Sequence, residues 1–231
     1  MLVEFEDKEA TEEAKSRFDD LLTGKRKISP DTIFAICMAV MRDADCETFD
    51  KVVELRDRME MSYNKIRILT AMGCAHNEEV VQKVLNYGLS GEVDKTDFQY
   101  IIYHITNTPR GRIIAWKFLK ENQERIAEMY KGQKRLAVIV MLLIHKFACG
   151  AKAKEIEAHF KEHPMPEAAF AISYAVESLR AGPRLLRKFM KSCLRFCKRN
   201  AEENKFFRPT LDKFIGIVAK DNVLRLVMER S

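Results

Sequence analysis

The spacing of apolar residues constrains this chain most. From Ala10 to Cys197 large apolar side chains return every three or four positions, and no stretch alternates convincingly at every second position. A helix brings residues back to one face every 3.6 positions and a strand every two, so the pattern predicts helix after helix and no sheet. Stripes of this kind run through Ala10, Ala14, Phe18, Leu21 and Leu22, then Ile33, Ile36, Cys37, Val40 and Met41, then Phe49, Val52, Val53 and Met59. They continue through Ile66, Leu69 and Met72, then Val80, Val81, Val84 and Leu85, then Phe98, Ile101, Ile102 and Ile105. Leu136 to Ile144 is apolar all round, which requires burial on several sides, yet it is too short to span a bilayer.

Helix starts are written between the stripes. Ser29-Pro30-Asp31 and Thr108-Pro109 each place a capping hydroxyl before a proline at the first helical position. Helix pairs begin near Pro30, Ser62, Lys95, Lys134 and Glu167, a step of about 32–40 residues, close to the periods of helical repeat arrays. Stacked antiparallel hairpins forming a curved HEAT/ARM-like solenoid over residues 1–203 are therefore expected, with 204–231 as a helical tail packed on its end. An irregular helical bundle is the alternative architecture.

The six cysteines include no CxxC pair, and a chain of 231 residues needs no disulfide framework, so buried thiols are expected. The acidic N-terminal stretch does not resemble a signal peptide. The expectation is a soluble chain, cytoplasmic if it is the whole protein. Residues 1–60 carry 10 Lys/Arg against 16 Asp/Glu, so the basic surplus behind the net charge of +6 lies downstream.

That surplus is concentrated after Pro183. Arg184, Arg187, Lys188, Lys191, Arg195 and Lys198 fall along one side of a predicted helix whose other side carries Leu186, Phe189, Met190, Cys193, Leu194 and Cys197. A solvated face accounts for such a stripe, and so does a site for peptide carboxylates or an acidic partner. No stacking aromatics interleave with it, which argues against nucleic acid. His159-Phe160-Lys161-Glu162-His163 matches H-x-x-E-H, in which two histidines one turn apart could bind Zn²⁺ with the glutamate as base. Against this, Pro164 ends the helix at once and Phe160 reads as a core residue. His145 and Cys149 are also one turn apart, but no residue pattern supplies further ligands.

The central segment carries a recognisable series. Asp97 precedes the helix of Ile101, Ile102 and Ile105; then come Pro109, Gly111, Ala115-Trp116, Phe118, Asn122 and Tyr130-Lys131-Gly132. In this order and spacing they resemble the C-terminal helical domain of the gluzincin aminopeptidases, the family of aminopeptidase N and the puromycin-sensitive and endoplasmic-reticulum aminopeptidases. Ile28-Ser29-Pro30-Asp31, the helix from Lys65 to Cys74, and Phe147 with Glu155-Ile156 and Phe160 extend the likeness to roughly residues 8–202. Thr108 stands where the pattern has Asn, and Gln123 where it has Trp.

The resemblance implies a non-catalytic HEAT-like domain whose concave side covers the active site of an upstream zinc catalytic domain and contacts the peptide beyond its N-terminus. No cofactor is then expected in this chain, and zinc is expected in that catalytic domain. Arg110, Arg112, Arg184, Arg187, Lys188 and Lys191 are the candidate peptide contacts, chosen for charge alone. The competing expectations are a free-standing helical scaffold that binds a protein partner, and a small zinc hydrolase using His159, Glu162 and His163.

Overall fold

Short polar side chains start three of the helices. Asp45, Asn77 and Thr108 sit in extended backbone and accept hydrogen bonds from the amides of Thr48 (2.8 Å), Glu79 (2.9 Å) and Gly111 (2.9 Å). In the computed structural model, which describes residues 8–25, 29–147 and 150–182 with Leu185, Lys188 and Ser192 beyond them, every described element is helical. Lys8–Thr23 forms α1, Pro30–Arg42 α2, Cys46–Arg58 α3, Ser62–Met72 α4 and Glu78–Gly88 α5. Phe98–Ile105 forms α6, Pro109–Met129 α7, Arg135–Ile144 α8 and Gly150–Glu162 α9. A 3-10 turn at Pro166–Ala168 leads into helical backbone over 169–182. The expected tail over 204–231, together with Cys149, Cys193 and Cys197, lies outside the described residues.

One start differs from expectation, and a second lacks a side-chain cap. Ser29 occupies the N-cap position ahead of Pro30 but makes no side-chain cap bond; instead the Thr32 hydroxyl donates back to the Ser29 carbonyl at 2.8 Å. Asp97 likewise precedes α6 without capping it, while Asp94 accepts from the Thr96 amide at 2.7 Å.

The chain divides into two compact units. The first holds the residues up to Lys146 with Met165–Ile172. Within it α2, α4, α6 and α8 pack in succession as one layer and α1, α3, α5 and α7 as another, so antiparallel hairpins stack in chain order. The second unit holds Phe147–Pro164 and the chain from Ser173. There Ala153, Ile156 and Phe160 form the buried face of α9, Ala175, Val176 and Leu179 are buried on their helix, and Arg180 pairs with Glu157.

The core of the first unit follows the sequence stripes. Phe98, Ile101, Ile102 and Ile105, on the inner face of α6, are fully buried, each such side chain contributing about 1.5–3 kcal/mol on burial. Neighbours approach α6 so closely that two glycines are required. A Cβ at Gly88 would lie 2.2 Å from the Phe98 ring, and one at Gly111 would lie 2.0 Å from the Ile105 carbonyl oxygen. Along α7, Ala115, Trp116, Phe118 and Leu119 are buried. The helix kinks at Asn122 (φ −119°, ψ 17°), whose side-chain amide donates to the Phe118 carbonyl at 3.0 Å.

Beyond the kink, α7 is strapped to the preceding hairpin. Tyr130 is fully buried and its hydroxyl donates to the Lys95 carbonyl at 2.9 Å; burial pushes this phenol up to about 12. Lys95 returns a bond to the Met129 carbonyl, and Arg125 donates to that of Leu89. Gly132 then takes a left-handed turn (φ 72°). A further link was hidden in the sequence: buried Arg56 on α3 donates to the Tyr87 hydroxyl (2.8 Å) and the Glu92 carbonyl (3.2 Å).

Trp116 is 2 % exposed, and Trp116→Ala is expected to cost about 3–5 kcal/mol in urea unfolding; a loss below 1 kcal/mol would contradict its place in the core. Gly111→Ala forces a methyl onto a carbonyl and should cost about 1–3 kcal/mol, although alanine is the better helix former.

Candidate functional site

The two layers of the first unit expose different chemistry. The α1/α3/α5/α7 layer presents ion pairs: Glu47 with Lys51, Glu54 with Arg58, Asp50 with Lys83, Glu78 with Arg110 and Glu121 with Lys117. Exposed pairs of this kind are worth about 0–1 kcal/mol each and mark a solvated face. The α2/α4/α6/α8 layer also carries an ion pair, Asp31 with Arg67, but in addition exposes Tyr63, Tyr100, Tyr103 and Val138, with Phe34 half-buried. The exposed tyrosines make this layer the candidate side for meeting a ligand, although Ile113 on α7 is exposed as well.

At the end of that layer the aromatics meet a cluster of cations. Phe34 on α2 lies edge-on to His104 on α6 at 6.1 Å, and Tyr103 lies 5.3 Å from the same imidazole. Lys146, just past α8, reaches back to α6. Its ammonium sits 4.0 Å from the Tyr103 ring centroid and donates to the Tyr103 carbonyl (2.9 Å) and the Asn107 side-chain oxygen (2.6 Å). A lysine has three donors, so one N–H of Lys146 remains. Arg112, on the first turns of α7, is half-buried; burial lowers its pKa. Burial first, and then the Arg112 charge, also lowers the pKa of Lys146. No carboxylate pairs with either cation among the described residues. Two partly desolvated cations near enough to influence each other repel, and an arriving anion relieves the repulsion.

His104 and His145 flank these cations. Burial first and then the Lys146 charge hold His104 below the ordinary imidazole value of 6.5. His145 is also lowered, chiefly by burial, and its Nδ1 lies 2.8 Å from the Met141 carbonyl in its own helix end. Both are therefore neutral near pH 7, and the positive charge of the site rests on Lys146 and Arg112.

Of the residues chosen from sequence, the structure brings only Arg112 into this cluster. Arg110, two positions earlier, turns to the other side of α7 and pairs with Glu78 on α5 at 3.0 Å. Lys188 is exposed on helical backbone, and Arg184, Arg187 and Lys191 lie outside the described residues. Lys146, Tyr103, Asn107 and His104 were missed. A cation after the last turn of α8 is a recognisable helix-end feature. Which helix it would reach depended on how α6 and α8 pack.

His159 and His163 stand one turn apart at the end of α9 with ring centroids 4.8 Å apart, and Phe160 between them is buried. Among the described residues no group of three or more His, Cys, Asp or Glu is placed to hold a metal ion. Among them, too, no helix is long and apolar enough to cross a membrane.

The sequence matches known proteins along most of its length. The family model described as the ERAP1-like C-terminal domain matches residues 1–181. Aminopeptidase M1 of Arabidopsis thaliana is 28% identical over 188 residues, which are 79% of this chain and 21% of that protein. Endoplasmic reticulum aminopeptidase 1 of Rattus norvegicus is 32% identical over 101 residues, 43% of this chain and 11% of that protein. A leucyl aminopeptidase of Saccharolobus solfataricus is 27% identical over 162 residues, covering 68% and 20%. The chain thus spans at most about a fifth of the length of these curated relatives.

The two lowered histidines carry a pH signature. A base whose folded pKa lies below its unfolded value binds protons more readily when unfolded, so its contribution is intact above about pH 6.5 and is lost as pH falls. The urea midpoint should drop between pH 7.5 and 5.5, above the range where carboxylates titrate. His104→Asn should flatten part of that drop, and an unchanged slope would show that the imidazole is not desolvated.

Proposed function

This chain belongs to the ERAP1-like C-terminal domain family, the C-terminal domain of aminopeptidases, and on that premise we propose that it is the peptide-holding part of an aminopeptidase. Cleavage of the peptide bond belongs, in this proposal, to a zinc catalytic domain upstream, whose active site this domain covers. The helices contribute no catalytic group of their own. They engage the peptide away from its N-terminus.

The observation that carries the proposal is the Arg112–Lys146 cluster beside exposed Tyr103. A peptide's terminal carboxylate fits such a place. The Arg112 guanidinium can grip two carboxylate oxygens at once, and the remaining N–H of Lys146 adds a third donor. Tyr103 and Phe34 offer apolar surface to the side chains that precede the terminus. The basic residues Arg184, Arg187, Lys188 and Lys191 remain candidate contacts for acidic groups elsewhere on a peptide, while Arg110 is engaged by Glu78.

The test is fluorescence anisotropy with labelled peptides of about ten residues at low salt, where long-range charge is least screened. A free C-terminal carboxylate should bind about tenfold more tightly than the same peptide amidated, a difference of about 1.4 kcal/mol. Arg112→Gln with Lys146→Gln should remove that difference, and Arg110→Gln should leave it. Equal binding of acid and amide would refute the assignment of the cluster.

A further inference from the structure

Where α4 ends, the fold sets a thiol against an imidazole. Cys74 follows Gly73 at the end of α4, and its Sγ lies 3.6 Å from Nδ1 of His104 on α6. The glycine makes this approach possible: a Cβ at Gly73 would lie 2.6 Å from the Ile101 carbonyl oxygen and 2.8 Å from the His104 Cβ. Cys74 is partly exposed rather than sealed in the core. The thiol also lies 4.0 Å from the Thr70 carbonyl oxygen in α4, and the imidazole tautomer that carries its proton on Nε2 offers a bare Nδ1 to the thiol proton. A cation stands near the pair: the Lys146 ammonium lies 4.0 Å from the Tyr103 ring centroid, and that ring lies 5.3 Å from the His104 imidazole.

The other described cysteines lack this setting. Cys37 is fully buried, and its thiol is pushed up to about 12 by desolvation. Cys46 is half-exposed like Cys74, but burial and the Glu79 carboxylate raise its pKa, which disfavours the thiolate. Cys74 therefore combines partial exposure, an adjacent base and a nearby cation.

We propose that Cys74 is a site of thiol–disulfide exchange, with His104 as its base, and that it accepts small disulfides bearing carboxylates, such as oxidised glutathione. The Cys74 proton passes to His104 Nδ1, and the sulfur attacks one sulfur of the incoming disulfide. The incoming S–S bond breaks as the Cys74 mixed disulfide forms, and the departing thiolate takes the proton from His104. One disulfide is consumed and one is made, so no further oxidant is involved. Carboxylates of the incoming molecule are drawn by Lys146 and Arg112. The proposal stands independently of peptide binding, because it rests on the Cys74–His104 pair and needs only that the cations attract anions.

The experiment exposes the full chain, briefly and in separate reactions, to oxidised glutathione and to cystamine, a cationic disulfide, and follows each cysteine by peptide mapping in a mass spectrometer. Cys46 serves as the control within the same molecule, so the comparison holds without any variant. With oxidised glutathione, Cys74 should be modified at least about tenfold faster than Cys46, as expected for a thiol with a base beside it and a cation near it. The Cys74/Cys46 ratio should be smaller with cystamine. His104→Asn should bring the Cys74 rate down towards that of Cys46. Lys146→Gln should erase the preference for the anionic disulfide, and Lys146→Arg should restore it. Equal rates at Cys74 and Cys46 in the unaltered chain, or equal preference for the two disulfides, would overturn the proposal.

Discussion

The close packing around α6 is the constraint on which the first unit depends. This helix has only eight residues, and its four large apolar side chains are sealed from solvent. Three glycines on three different neighbours face it: Gly73 at the end of α4, Gly88 at the end of α5 and Gly111 in α7. At each, an added methyl would collide with a backbone oxygen or an aromatic ring. A short helix can have its apolar face fully sealed only if its neighbours come within backbone distance, and glycine is the residue that permits this. The contacts of α4 and α8 with α6 then set which end of each helix meets which. That decision places Cys74 at His104 and Lys146 at Tyr103.

The helices themselves were legible because their signal is local. Stripes at helical spacing marked the buried faces of α2, α5 and α6, and the expected hairpin starts at Pro30 and Ser62 coincide with α2 and α4. The series from Asp97 to Gly132 was recognisable as a pattern, and the structure supplies its physics. Gly111 admits a carbonyl, Asn122 satisfies one at a kink, Tyr130 reaches one across to the previous hairpin, and Gly132 turns the chain. What stayed illegible is long in range. Arg56 and Tyr87 are 31 residues apart, and Tyr103 and Lys146 are 43 apart. Periodicity says that each of these residues can leave its helix, but not which partner it finds. For the same reason Arg110 and Arg112 looked alike in sequence. One faces a carboxylate and the other a cation, because two positions are more than half a helical turn.

The contrast between the layers gives the site its physical character. Ion pairs cover the α1/α3/α5/α7 side, and their charges are largely neutralised where they stand. On the other side Asp31 pairs with Arg67, but Lys146 at the end of the layer has an amide oxygen, a carbonyl and a ring as neighbours. A carboxylate that lands there gains more than it would among hydrated lysines, since its charge is met in a less polar setting. The neutral state of His104 and His145 keeps that attraction from spreading to a diffuse positive patch.

The seams around α6 also have a mechanical meaning. A stack of hairpins in which each touches chiefly its neighbours responds to load seam by seam. Where α6 meets α4, α5 and α7, glycine has removed the side-chain layer that elsewhere lets helices slide, so these seams are stiff. Under load the first unit would therefore hold its shape best around α6, the helix against which Cys74 and Lys146 are set.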